Sequence, residues 1–203
     1  MDNERITTDE TGSKNQISRS IFEIVELFVL SICVVFIAFM SLVKICTVSG
    51  DSMQKTLLHG QTLVISNLFY TPSQGDIIVF HQTSDTDLRF NEPIVKRVIA
   101  TEGQFVKIDH ENNAVYVSND SDFDESEILK EEYAYIETGH MRDYFGVDKK
   151  VFEVPQGHVF VLGDNRNNSS DSRYPTIGFV DTRRILGKVL LRITPIDSFG
   201  TVN

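Results

Sequence analysis

One long apolar stretch constrains this chain more than any other feature. The run from Leu27 to Val43 carries no charge, and it ends at Lys44. With the residues from Ile21 to Val25 included, the stretch reaches the roughly 20 residues that a helix needs to cross a bilayer. We therefore predict a flexible cytoplasmic tail over residues 1–20 and a single transmembrane anchor over residues 21–44.

A cleaved secretory leader is the alternative interpretation of this stretch. Such leaders have an apolar region of roughly 7–15 residues behind a short basic segment, whereas here the run is longer and the preceding segment is partly acidic. Val48 and Gly50 could still form a weak cleavage site. Lys14 and Arg19 before the run, against Lys44 after it, give a slight positive-inside bias.

The chain of 203 residues has a formal net charge of −10. This argues against a nucleic-acid partner, because phosphate binding needs a basic surface. Between Asp109 and Asp148 there are 12 acidic residues against two bases, Lys130 and Arg142. We predict that residues 110–150 form an acidic inserted subdomain that faces solvent.

The cysteine and histidine patterns exclude several kinds of site. Cys33 and Cys46 are the only cysteines, and both lie in the apolar stretch or just after it. A thiol protease and a cysteine zinc site are therefore excluded for the rest of the chain. His110 and His140 lack the spacing of metal ligands. We predict no metal and no cofactor.

Beyond the apolar stretch, short runs rich in β-branched residues alternate with turn signals. The predicted strands are residues 62–66, 76–80, 93–99, 104–108, 112–117 and 158–162. The sequence therefore predicts a mainly β core, whose halves, residues 45–109 and 151–203, flank the acidic insertion.

Two polar residues in this region are candidates for chemistry. Ser52 lies in a short loop soon after the anchor, and Lys96 lies in an extended segment among β-branched residues. Burial lowers the pKa of a lysine, which then serves as a general base near neutral pH. The alternative is that Lys96 and Arg97 are solvated cations on an edge strand, and the pattern alone does not separate the two.

A third polar block, residues 163–173, directly follows a strand that has the composition of a buried one. It places Asp164 and Asp171 together with Arg166 and Arg173 in a loop too polar for core packing. A structural loop of this kind satisfies backbone groups through Asn and Asp, and a functional loop presents such side chains at a site.

Three segments together resemble the signature boxes of bacterial type I signal peptidases of the Gram-positive type. They are Gly50-Asp51-Ser52-Met53 with Thr56-Leu57, Lys96-Arg97-Val98 with Gly103, and Gly163-Asp164-Asn165-Arg166 with Ser169, Asp171, Ser172 and Arg173. Their order, their separations and the preceding anchor match as well. The resemblance implies a largely β catalytic core with a smaller inserted β subdomain, and a serine endopeptidase with a Ser/Lys dyad.

The resemblance also implies roles for individual residues. Ser52 is the nucleophile, Lys96 is the unprotonated general base, and Ser169 is the hydroxyl that hydrogen-bonds and orients the lysine. The supporting polar network consists of Asp171, Arg173, Asp164 and Arg97. The small apolar substrate pockets are lined by Met53, Val48, Ile94 and Val95.

Three positions depart from the family pattern. Lys55 stands where a proline is usual after the nucleophile, and Gln104 stands where an aspartate commonly follows Gly103. Gly50 stands where some members carry a serine whose hydroxyl helps the oxyanion hole. The backbone N–H of Ser52 must then supply more of the oxyanion stabilisation, in which one donor is worth roughly 3 kcal/mol.

The resemblance implies that the substrates are exported preproteins with signal peptides, which are cut after small-x-small (Ala-x-Ala) sites. It also implies that the chain is anchored in the lipid bilayer of the cell membrane, with the catalytic domain on the outer side. Ser52 lies eight residues beyond Lys44, at most about 26 Å from the membrane exit, which suits a membrane-tethered substrate. The alternative function is a non-cleaving assembly factor or chaperone for surface proteins, such as pilus subunits, with a dedicated partner.

Overall fold

The computed structural model describes residues 3–82, 92–124, 127–137, 139, 141 and 151–202. The chain divides into two compact units, Met1–Leu42 and Val43–Asn203. The first unit is one helix, and the second is built from β-strands. The predicted fold class, mainly β with an N-terminal apolar helix, is therefore confirmed.

The first unit is a single helix, α1, over Asn3–Leu42. Its segment Arg19–Ile37 has a mean hydropathy of 2.5, and none of it is buried. A mainly apolar helix of this length suits lipid rather than water, and it is the one helix in the described part of the chain that could cross a membrane. α1 begins inside the segment predicted as a flexible tail, and it ends at Leu42 because Val43 and Lys44 pair with another strand.

Among its described residues, the second unit contains ten strands and two short 3-10 helices, Thr182–Arg184 and Ile196–Ser198. The strands are β1 (Val43–Thr47), β2 (Thr62–Ser66), β3 (Ile77–His81), β4 (Pro93–Thr101), β5 (Phe105–Asp109), β6 (Ala114–Ser118), β7 (Val151–Glu153), β8 (His158–Leu162), β9 (Val180–Asp181) and β10 (Ile185–Thr194). Six of these coincide with predicted strands to within a few residues, whereas β1, β7, β9 and β10 were not predicted.

Seven strands form one antiparallel sheet in the order β1-β2-β10-β3-β4-β8-β9. β4 therefore lies inside the sheet, paired with β3 on one side and with β8 on the other. Lys96 and Arg97 on β4 are only 3% and 2% exposed. The edge-strand interpretation of these two cations is wrong, because β4 has a neighbouring strand on both sides.

The other three strands form a small sheet in the order β6-β5-β7. This sheet packs on the main sheet through a common core, in which Val106 and Phe152 join Ile99 and Phe160. Because β5 pairs with both β6 and β7, the small sheet extends on both sides beyond the predicted insertion, residues 110–150. Residues 142–150 of that insertion lie outside the described residues.

Candidate active site

The loop between β1 and β2 carries Ser52. Met53 and Leu57, which follow it, are 1% and 0% exposed, and the Leu57 N–H donates to the Met53 carbonyl at 2.8 Å. Gly50 supplies the left-handed backbone that the loop needs, with φ of +88°, and its N–H donates to His59 Nδ1 at 3.1 Å. The apolar side chains therefore fix the loop in the core, while Ser52 stays half-buried at the surface.

Lys96 reaches Ser52 from the interior of the main sheet. Its Nζ donates to Ser52 Oγ at 2.7 Å and to the Val95 carbonyl at 2.8 Å. Burial lowers the pKa of Lys96 to about 8, although the carboxylates of Asp171 and Asp164 oppose the shift. An appreciable fraction of neutral amine is therefore present near neutral pH, as a general base requires.

The loop that follows β8 holds the Ser52 loop through its main chain. The N–H of Asn165 donates to the Ser52 carbonyl at 3.0 Å, and its Nδ2 donates to the Asp51 carbonyl at 3.2 Å. Gly163 passes so close that a Cβ there would lie 2.5 Å from the Ser52 carbonyl oxygen. A glycine is therefore needed at this position, and the third polar block of the sequence fixes the main chain of Ser52.

Asp164 and Arg97 form a buried ion pair that links this loop to β4. Arg97 Nε and Nη2 donate to the two carboxylate oxygens at 2.9 and 2.7 Å, and neither side chain is more than 2% exposed. Thr56 Oγ1 donates to Asp164 at 2.5 Å, and Arg97 Nη1 donates to the Gly75 carbonyl at 2.8 Å. Buried charges need such partners, so the pair ties together β4, the Ser52 loop and the loop after β8.

Asp171 and Arg173 form a second buried ion pair. Arg173 Nε and Nη2 donate to the Asp171 carboxylate at 2.9 and 2.8 Å, and the Gly163 N–H donates to it at 3.0 Å. Burial alone would raise the pKa of Asp171, but Arg173 and these hydrogen bonds hold it below its ordinary value. Asp171 raises the pKa of Lys96 and Arg173 lowers it, so the two charges partly cancel at the lysine.

Ser169 lies beside this second pair. Its Oγ is buried and makes no hydrogen bond of regular geometry with any described residue, although it is near enough to Asp171 to favour the charged carboxylate. The hydrogen bond to Lys96 that the family resemblance implies is thus not formed within the described part of the chain. Ser169 and Lys96 nevertheless line the same cleft.

This cleft opens between the end of β1 and the start of β4, next to Ser52. Of the four residues predicted to line substrate pockets, Val48, Ile94 and Val95 line the cleft, whereas Met53 is buried in the apolar core beside Leu57. The sequence analysis missed further lining residues, because only tertiary structure brings their elements together. These include Cys46, Leu63, Val79, Glu92 and Tyr174.

The acidic insertion also reaches this region, which the sequence analysis did not predict. Glu131 forms a buried ion pair with Arg166, and the ring of Tyr133 lies 3.8 Å from the Arg97 guanidinium carbon. Glu131 and Arg166 are 35 residues apart in the chain, so no local spacing could have revealed the pair.

The family model described as signal peptidase, peptidase S26, matches residues 21–194 of the chain. A probable signal peptidase I-1 from Synechocystis sp. is 35% identical over 161 residues, which are 75% of this chain and 72% of that protein. Signal peptidase IB from Staphylococcus aureus is 30% identical over 183 residues, which are 85% of this chain and 91% of that protein.

A solved structure of a signal peptidase I from Enterococcus faecalis V583 is 27% identical in sequence. The alignment covers 59% of this chain and 97% of that one, with a TM-score of 0.41. The region that the family model matches contains Ser52, Lys96 and the whole block of residues 163–173.

Proposed function

The chain belongs to the signal peptidase family, peptidase S26, and on this premise we propose that Ser52 and Lys96 are its catalytic dyad, which removes signal peptides from exported preproteins. The proposal rests on the 2.7 Å contact between Lys96 Nζ and Ser52 Oγ. This lysine is 3% exposed, and burial lowers its pKa to about 8. A solvated lysine stays almost fully protonated at neutral pH and could not take a proton from the serine.

The first half of the reaction forms an acyl-enzyme. Neutral Lys96 takes the proton of the Ser52 hydroxyl, and Oγ attacks the scissile carbonyl carbon. The C–N bond then breaks, and the protonated lysine gives its proton to the leaving amine. The mature protein departs with a new amino terminus, and the signal peptide stays as an ester on Ser52.

The second half is hydrolysis of that ester. Neutral Lys96 takes a proton from a water molecule, whose oxygen attacks the ester carbonyl. The bond to Ser52 Oγ breaks, Oγ regains a proton from the lysine, and the signal peptide leaves with a free carboxyl group. Both halves need the amine to be neutral at the start, which makes the burial of Lys96 part of the mechanism.

The negative charge that develops on the scissile carbonyl oxygen needs a hydrogen-bond donor. Gly50 has no hydroxyl, and its N–H already donates to His59. We therefore assign the N–H of Ser52 as the oxyanion donor, and a donor of this kind is worth roughly 3 kcal/mol.

The cleft supports an extended substrate with small side chains. Its walls come from the end of β1 and the start of β4, and Val48, Ile94 and Val95 make part of it apolar. A peptide that lies extended between these stretches points alternate side chains to the same side. The residues one and three positions before the cut would thus enter the apolar part, which fits cleavage after Ala-x-Ala.

The anchor and its orientation are also part of the proposal. The apolar segment Arg19–Ile37 would cross the cell membrane once, with the tail in the cytoplasm and the β unit on the extracellular side. Protease treatment of intact cells tests this, with epitope tags at the two termini. The C-terminal tag should be lost and the N-terminal tag protected, and the reverse result would contradict the orientation.

Cleavage of a preprotein with an Ala-x-Ala site by the full chain in detergent tests the dyad. Wild type should release the mature protein, and Ser52→Ala should not. Ser73→Ala is a matched control, because Ser73 is an exposed serine in the turn between β2 and β3. Wild-type rates in Ser52→Ala would contradict the assignment of the nucleophile.

The same assay separates the proposal from the non-cleaving alternative. If folded wild type and Ser52→Ala both bind a surface-protein partner and neither cuts the preprotein, the chain is an assembly factor. If cleavage depends on Ser52 and not on surface serines in general, Ser73→Ala should cut the preprotein at the wild-type rate.

A further inference from the structure

The segment from Glu131 to Tyr135, named here the docking strap, connects the acidic insertion to the loop after β8. The Tyr135 N–H donates to the Asp164 carbonyl at 2.7 Å, and the Arg166 N–H donates to the Tyr135 carbonyl at 2.9 Å. Tyr135 thereby forms a parallel β-bridge with Asn165. This single bridge holds the strap against the loop after β8.

Asn165 contacts both the strap and the Ser52 loop. Its N–H donates to the Ser52 carbonyl at 3.0 Å, while the residues on either side of it make the hydrogen bonds to Tyr135. The strap is therefore separated from the main chain of Ser52 by a single residue. A shift of the strap by a fraction of an ångström would therefore be transmitted through Asn165 to the main chain of Ser52, which carries the proposed nucleophile.

Glu131 fixes the other end of the strap to Arg166. Arg166 Nη1 donates to Glu131 Oε2 at 2.6 Å, and Nη2 donates to the second carboxylate oxygen, so the groups meet as a fork. The side chains of Arg166 and Glu131 are 1% and 8% exposed. Arg166 Nε also donates to the carbonyl of Gly163 at 3.1 Å, the residue that packs against the Ser52 carbonyl.

Aromatic contacts reinforce the strap on both sides. The Arg97 guanidinium carbon lies 3.8 Å from the centre of the Tyr133 ring, and the Tyr133 hydroxyl donates to Glu131 at 3.1 Å. Lys55, three residues after Ser52, places its Nζ 4.7 Å from the centre of the Tyr135 ring. These contacts reach both β4 and the Ser52 loop, so the strap is part of the support of the dyad rather than a separate surface element.

We propose that Glu131 is a positioning residue, which acts through Arg166 and Gly163 to hold the main chain of Ser52 in place for attack. This inference rests on the proposed function of Ser52 as nucleophile. It assigns to the acidic insertion a role in the rate of the reaction, in addition to its place on the small sheet.

The effect should fall on turnover rather than on substrate binding. The cleft that we propose for the peptide is lined mainly by the end of β1, the Ser52 loop and the start of β4, with Asn168, Ser169 and Ser170 from the loop after β8. Glu131 is not among the cleft residues. Glu131→Gln leaves the buried Arg166 guanidinium without a neutralising carboxylate, so Arg166 and Gly163 must readjust. Because a small misplacement of a reacting group lowers the reaction rate strongly, kcat should fall while KM changes little.

The experiment measures kcat and KM of the detergent-solubilised full chain with an Ala-x-Ala preprotein. In Glu131→Gln we expect kcat to fall about tenfold, with KM within about twofold of wild type. Glu132→Gln is the matched control, because it removes the same charge from the exposed neighbouring residue, and its kcat should stay at the wild-type value. If Glu131→Gln does not fold, Glu131→Asp keeps the charge but withdraws the carboxylate from the fork.

A double variant distinguishes positioning from general destabilisation. If Glu131 acts through Arg166, either single substitution already removes the interaction between them. The kcat of Glu131→Gln/Arg166→Gln should then be no lower than that of the slower single variant. A kcat in the double variant equal to the product of the two separate losses would overturn the proposal. An unchanged kcat in both Glu131→Gln and Glu131→Asp would also overturn it.

Hydrogen exchange provides a readout that does not depend on cleavage. The amide of Asn165, which is bound to the Ser52 carbonyl, should exchange faster in Glu131→Gln than in wild type or Glu132→Gln. If wild type cuts no preprotein, the proposed function fails while this comparison still decides the role of the strap. Equal exchange of the Asn165 amide in all three proteins would overturn the positioning role.

Discussion

Lys96 Nζ lies 2.7 Å from Ser52 Oγ, although the two residues are 44 positions apart and Lys96 is buried inside a seven-stranded sheet. The sheet supplies the low-dielectric surroundings, and the loop between β1 and β2 delivers the hydroxyl. Two carboxylates near the lysine, Asp171 and Asp164, each have their own arginine. Burial therefore dominates at the lysine and keeps its pKa low.

The activity should depend on pH through Lys96. The pKa of this lysine is about 8, so the neutral fraction falls about tenfold for each pH unit below that value. We expect kcat/KM to rise with slope one up to about pH 8 and then to level off. Initial rates at constant ionic strength from pH 5 to 9.5 test this, and full activity at pH 5 would contradict a lysine base.

Lys96→Met should inactivate the enzyme and make it more stable. The pKa of Lys96 is about 8 in the folded chain instead of the ordinary 10.5. Below pH 8 the buried, protonated lysine therefore lowers the free energy of unfolding by something on the order of 3 kcal/mol. Methionine fills a similar volume without that charge, and the melting temperature should rise by several degrees at pH 7.

The pH dependence of this gain provides the control. Between about pH 8 and 10.5 the unfolded chain binds more protons at Lys96 than the folded chain does, so the wild-type free energy of unfolding rises with pH through this window. The advantage of Lys96→Met should therefore shrink as the pH approaches 10.5. A constant difference in melting temperature across this window would mean that burial of the charge is not its cause.

Ser169→Ala should lose activity without losing stability. The Ser169 hydroxyl is buried without a hydrogen bond of regular geometry to a described residue, so its removal breaks no well-formed contact. If the hydroxyl orients Lys96 during the reaction, kcat should fall while the melting temperature stays constant. Ser172→Ala is the contrasting variant, because Ser172 Oγ accepts from the Val161 N–H at 2.9 Å and its loss should cost about 1–3 kcal/mol of stability.

Local sequence was sufficient to predict β4 and the polar loop after β8, because their signals lie within a few consecutive residues. β10 was missed, since Gly187 and two register shifts opposite β2 interrupt its alternation. Its glycine is required by tertiary structure, because a Cβ there would lie 2.9 Å from the backbone of Ser66. Such a close approach between distant segments leaves no sign in the sequence around either one.

The candidate site shows the same division between local and distant information. The motifs identified the residue types at the proposed dyad and in the two ion pairs beside it. They did not indicate that Met53 faces the core instead of the cleft, because the path of the Ser52 loop decides that. They also did not reveal the pairing of Glu131 with Arg166, which depends on how the insertion folds back over the loop after β8.

Gly163→Ala should reduce activity by displacing groups at the proposed dyad. The added Cβ would lie 2.1 Å from Ser169 Oγ and 2.5 Å from the Ser52 carbonyl oxygen, well inside van der Waals contact. The backbone of Ser52 must move, and a displacement of this size can cost about a hundredfold in rate. Cleavage assays on folded protein test this, and a rate within twofold of wild type would show that the loop tolerates the methyl group.

Asp164→Asn should be far more damaging than the same change in an exposed ion pair. Asp164 and Arg97 are fully desolvated, and a buried pair that loses one charge is destabilised by about 3–5 kcal/mol. Asp181, paired with the largely exposed Arg183, is the matched control, because asparagine can still cap the short helix that follows it. Denaturant unfolding should show a large loss for Asp164→Asn and little change for Asp181→Asn. Equal losses would mean that desolvation of the Arg97 pair does not govern the stability of this loop.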